Sequence, residues 1–115
     1  MHHSAKLGDF RSHLSMKPSD YFRRNIGVGA SCIPRADVEV REQVGVDKMM
    51  WGSDFPHPEG TWPKTGEVLD EVFSGFPADD VAAILGRNAI KFYGLDADDL
   101  QQVADRIGPE ASRFQ

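Results

Sequence analysis

At 115 residues, 40% hydrophobic and 27% charged, the chain has the make-up of one small globular domain and not of a disordered segment. A net charge of −5, with no basic run longer than Arg23-Arg24, argues against nucleic acid as a partner. No stretch approaches the roughly 18 consecutive apolar residues of a membrane span, and no apolar signal segment opens the chain, so a membrane is not expected and the cytoplasm is the expected location.

Residues 1–17 are polar and weakly patterned, a poorly ordered start. Pro18 opens a helical turn with Ser19 or Asp20 near its cap. Residues 25–31 alternate branched and tiny side chains, as a strand does when its small side lies close to another backbone. Cys32 follows; as the one cysteine it cannot form an internal disulfide, which suits a reducing compartment, and its place after a strand suggests a buried, inert thiol. From Pro34 a second helix runs to Gly45, with Ala36, Val40 and Val44 recurring at i, i+4 and i+8 as its apolar face.

Lys48 to Trp51 reads as a buried strand ended by Gly52. Strand, helix and strand with short joins make the βαβ pattern of a parallel sheet. Residues 55–64 form a proline-rich loop that displays Trp62. Thr65 can cap the next helix, which carries Val68, Leu69, Val72 and Phe73 and stops at Gly75. Pro77 starts another, with Val81, Ile84 and Leu85 inward. Gly86 interrupts it, Asn88 recaps it, and Phe92 and Tyr93 extend the apolar face to Gly94. Asp96 caps a last helix bearing Leu100, Val103, Ala104 and Ile107, which Gly108-Pro109 ends; residues 109–115 are a frayed tail. The chain thus divides into a start (1–17), a strand–helix–strand unit with its loop (18–63), a helical part (64–108) and a tail.

The segment with the most chemistry is Trp51-Gly52-Ser53-Asp54-Phe55-Pro56-His57-Pro58, where a carboxylate and an imidazole three residues on follow the end of a strand. In parallel α/β sheets and barrels this is where reactions are usually done. Asp54 is a metal ligand or general base, or else a turn carboxylate that accepts backbone N–H bonds. His57 is a substrate contact at the mouth of a site or a loop histidine held between prolines. Trp62 lines an aromatic pocket or merely covers a rim. Arg23-Arg24 read as a solvated helix face.

Three segments together, Lys17 to Arg23, Trp51 to Pro63 and Ile84-Leu85-Gly86-Arg87-Asn88-Ala89-Ile90-Lys91-Phe92-Tyr93-Gly94-Leu95, resemble the C-terminal part of amidohydrolase-related proteins, the branch of metal-dependent hydrolases and non-oxidative decarboxylases. The resemblance implies a TIM-like barrel of which this chain carries a segment of about two parallel strands, 25–31 as the seventh and 48–53 as the eighth, with a helix-rich C-terminal half. It implies that Asp54 binds a divalent metal, zinc or manganese, or takes a proton as general base, and that His57 and Trp62 meet a small-molecule substrate. A barrel of this type takes roughly 250 residues. His2-His3 are adjacent where the family has His-x-His, and His13 precedes the first strand. The expectation is therefore a segment inactive alone, completed by a partner chain that supplies further strands and ligands. The alternative is a non-catalytic α/β module that oligomerises through exposed strand edges.

Overall fold

A computed structural model describes residues 13–114. Helix α1 (Pro18–Asn25) leads to strand β1 (Val28–Ser31). The short helices α2 (Arg35–Glu39) and α3 (Arg41–Val44) and a 3-10 turn (Val46–Lys48) then cross to strand β2 (Met49–Gly52). The strands pair in parallel, with Val28 opposite Met49 and Ser31 opposite Gly52. This is the expected βαβ order, in a sheet of two strands among the described residues. Beyond it lie α4 (Thr65–Phe73), α5 (Ala78–Ala82), a π-helical stretch (Ala83–Arg87), α6 (Asn88–Tyr93), α7 (Ala97–Ile107) and a 3-10 turn (Ala111–Phe114). None of the described helices is long and apolar enough to cross a membrane.

Strand β2 is the more buried of the two. Met49 and Met50 are buried in succession, so its start is covered on both faces. Around Met49 the core gathers Ile33, Val38, Leu69, Val72, Phe73, Val81 and Ile84. Gly27 is small for a steric reason: a Cβ there would lie 2.7 Å from Met50 Cε and 2.9 Å from the Phe92 ring.

Several local expectations are corrected. Neither Ser19 nor Asp20 caps α1; Lys17 holds that position without a side-chain bond. The helix expected over 34–45 breaks at Val40, whose backbone (φ −97°, ψ 11°) is not helical. The i, i+4, i+8 stripe does not face the core: in α2 the buried side chain is Val38, while Ala36 and Val40 are exposed, and beyond the break Val44 packs against the core. Thr65 does not cap α4; Lys64 stands there, and the Thr65 hydroxyl lies 2.9 Å from that of Thr61. Arg35 takes over the other end of α4, donating from one guanidinium nitrogen to the carbonyls of Glu71, Val72 and Ser74. Arg41 pairs with Asp80 at 2.6 Å, and both guanidiniums lie within 5 Å of the Phe76 ring, at 4.7 and 4.9 Å.

Gly86 does not interrupt a helix. The chain runs helically from α5 through the π stretch into α6, and Asn88 sits inside it. Asn88 is buried and donates from Nδ2 to Val46 O (2.7 Å) and Met49 O (2.8 Å), so it ties α6 to the start of β2 instead of capping. The tail is not frayed over the described part of 109–115. Phe114 is buried edge-on against Phe73, Arg113 pairs through two nitrogens with the Asp70 carboxylate, and Phe114 O accepts from Gly75 N. Asp96 does cap α7, with Oδ1 accepting from Asp98 N and Asp99 N.

Candidate functional site

The two parallel strands end together at Ser31 and Gly52, and the chain then turns into the loop that carries Asp54, His57 and Trp62. Local backbone bonds close this loop on itself. Ser53 O accepts from Thr61 N (2.9 Å), Asp54 O from His57 N (2.7 Å) and His57 O from Gly60 N (2.9 Å). A Cβ on Gly60 would lie 2.8 to 3.0 Å from the carbonyl oxygens of Ser53, Asp54 and His57, so only glycine fits the centre of the loop.

Asp54 adopts a left-handed backbone conformation (φ +59°), which aspartate tolerates better than most residues. The turn does not recruit its carboxylate. Ser53 Oγ accepts the Phe55 N–H (3.3 Å), and among the described residues no backbone N–H donates to Asp54 Oδ1 or Oδ2. The group facing the carboxylate is His57, with Nδ1 at 3.5 Å from Oδ2. The same Nδ1 is 3.3 Å from Glu59 N. These contacts exclude one another: Nδ1 either accepts the Glu59 N–H with the ring proton on Nε2, or carries a proton towards Asp54. The side chains of Asp54 and His57 are 41% and 56% exposed, so the pair is open to an incoming molecule.

Trp62 is exposed at the far side of the loop and stands edge-on to Phe55, with ring centroids 6.0 Å apart. The loop thus brings Asp54 and His57 together, while Trp62 contributes an aromatic surface. Cys32 is corrected from buried to exposed. Its backbone is also left-handed (φ +53°), and the turn after β1 places Sγ 3.5 Å from Glu59 O, on the edge of the same loop.

Among the described residues no group of three or more His, Cys, Asp and Glu side chains is arranged to hold a metal ion. Asp54 and His57 make two donors, and a catalytic zinc has about three protein ligands. His2 and His3 lie outside the described residues, and His13 is exposed. A groove of about 500 Å³ lies elsewhere, between the α5–α6 run and α7, and none of these candidate residues lines it. The chemistry-bearing groups sit at the strand ends and not in that groove.

A family model described as amidohydrolase matches residues 3–95. The chain belongs to the amidohydrolase family. The matched region of this amidohydrolase-family chain contains both strands, the Asp54 loop and Asn88, and ends just before α7. No curated protein and no solved structure matches it. Ser53 shapes the site without a role expected from the sequence, and Asn88, expected as a helix cap, instead anchors the start of β2. Ser53 could have been found from the Gly-Ser-Asp order, because a hydroxyl one residue before the aspartate is placed to take the turn's N–H. Asn88 had no local signal, since its two acceptors are 42 and 39 residues away.

Proposed function

We propose that this chain carries the closing strands of an amidohydrolase-type site, a partial TIM-like barrel that hydrolyses C–N or C–O bonds or decarboxylates a small-molecule substrate once the site is complete. Asp54 is the proton acceptor: its carboxylate takes the proton of the attacking water in hydrolysis, and in decarboxylation it orients the reacting group. His57 and Trp62 contact the substrate. What supports this reading is the Asp54 carboxylate, which stands at the C-terminal end of paired parallel strands, is left out of the turn's own hydrogen bonding by Ser53, and, among the described residues, faces His57. Two donors do not fit a metal site by themselves, so a divalent metal, zinc or manganese, requires donors from beyond residues 13–114, and these residues alone are inactive.

The test is co-expression with a polypeptide that carries a His-x-His strand, followed by metal analysis and a turnover screen on amides, esters and carboxylic acids. Asp54→Asn keeps the shape and removes the base. It is expected to lower turnover about 100-fold or more without changing the mass of the assembly. An assembled, metal-loaded complex in which Asp54→Asn turns over like the parent refutes the proposal.

A second reading, a non-catalytic α/β module that oligomerises, is favoured by the sheet itself. Among the described residues each strand has one neighbour, which leaves an outer edge of β1 and of β2 unpaired.

A further inference from the structure

Helix α7 is amphipathic, yet none of its residues is buried. Leu100, Val103 and Ile107 recur at i, i+3 and i+7 and are 38%, 40% and 73% exposed. The side of α7 that faces the body of the protein is a different one: Gln101, Asp105 and Gly108 line the groove against α5 and α6, with Ala104 at the border between the two faces. The family match ends at residue 95, before α7 begins at Ala97, so the matched region does not include this helix. The apolar stripe is therefore a surface that the fold leaves uncovered among the described residues.

We propose that α7 is a self-association surface that pairs antiparallel with α7 of a second copy of this chain. The residues flanking the stripe favour that occupant. With Leu100 and Val103 as the core positions, a two-fold antiparallel pairing sets Leu100 against Val103 of the other copy, twice. In the same register Asp99 meets Arg106 of the other copy, again twice, so unlike charges face each other on one flank. Ala97 meets Ala104 on the other flank, where small side chains let the helices approach. Ile107 extends the stripe over the partner's first turn. The antiparallel arrangement also sets the two helix dipoles head to tail. A parallel pairing does not bring Asp99 to Arg106. At eleven residues α7 is about 16 Å long, and such a contact buries less than the roughly 1,200 Å² of a stable interface, so the dimer is weak and concentration dependent.

The experiment is sedimentation equilibrium of the whole chain from about 10 to 500 μM, a span suited to a weak dimer. A reversible monomer–dimer equilibrium is expected. Val103→Asp, at an exposed site where the monomer's fold is unaffected, raises the dissociation constant about tenfold or more, because it places a charge in the shared core. Asp99→Arg and Arg106→Asp each make two like-charge contacts and raise it between about 2-fold and 30-fold. An equimolar mixture of these two variants restores association, because unlike charges again meet at both contacts. Circular dichroism confirms that every variant keeps its helix content. A chain that stays monomeric throughout, a dimer unaffected by Val103→Asp, or a mixture no tighter than either variant alone each overturns the proposal; the second outcome directs attention to the strand edges.

Discussion

The two bonds between Asn88 and the start of β2 allow a quantitative test of how the helical half holds that strand in place. Asn88 is 9% exposed and gives both Nδ2 protons away, at 2.7 Å to Val46 O and 2.8 Å to Met49 O. A hydrogen bond contributes a net of about 1 kcal/mol, and stranding a buried carbonyl costs about 1–3 kcal/mol. Val46 O keeps a second donor, the Met49 N–H, so the loss at that end is partial. Asn88→Ala is therefore expected to lower the unfolding free energy by about 2–3 kcal/mol, out of a total of roughly 5–15 kcal/mol for a domain. Asn88→Asp separates the hydrogen bonds from the packing. At neutral pH the new carboxylate aims an oxygen at two carbonyl oxygens, and both burial and those dipoles raise its pKa in the fold above the unfolded value near 3.9. A carboxyl raised in the folded state penalises stability above its unfolded pKa. The penalty grows as pH rises towards the folded pKa and disappears on acidification, where the neutral acid can donate one of the two lost bonds. Urea unfolding of parent and variants at pH 7 and pH 4 measures this. An Asn88→Ala within about 0.5 kcal/mol of the parent, or an Asn88→Asp penalty equal at both pH values, refutes the clamp.

Two further outcomes follow from the corrected tail and thiol. The guanidinium of Arg113, through its side-chain hydrogen bond to Asp70, holds that carboxyl below its ordinary value of 3.8. A depressed folded pKa gives a contribution that is present above the unfolded pKa and lost as pH falls through the folded one. The melting-temperature gap between the parent and Arg113→Ala should therefore narrow on acidification below about pH 4, and a constant gap from pH 7 to pH 2 contradicts the pairing. Cys32, being exposed, should react with a small thiol reagent in the folded protein at a rate comparable to that in urea. Protection that only denaturant relieves would return this thiol to the interior.

What the sequence disclosed depended on how far each residue's partner lies along the chain. The strand–helix–strand order was readable because it rests on local signals: alternating small and branched residues before Ser31, and an apolar run ended by Gly52. The Asp96 cap was readable for the same reason, since its acceptor oxygen reaches N–H groups two and three residues on. Asn88 reads locally as a cap because asparagine often is one, and only tertiary structure brings Val46 and Met49 beneath it. The docked end of the chain was hidden likewise, with Asp70 lying 43 residues before Arg113. The break at Val40 defeated a periodic reading: a stripe counted across it lands on Val40, while the packed side chain is Val38. For the site, the position of Asp54 at a strand end and the nearness of His57 were legible from spacing. The role of Ser53 in leaving that carboxylate available was not, because it depends on which of two adjacent oxygens the turn selects.

Gly60 imposes an uneven freedom on the Asp54 loop. Three carbonyl oxygens crowd the space a Cβ would take there, yet Phe55, Glu59 and Trp62 are exposed. Randomising those three positions can diversify what the loop meets while its prolines and Gly60 keep the frame, whereas any side chain at 60 dismantles the frame first. A library built on this scaffold should hold one codon fixed and let its neighbours roam.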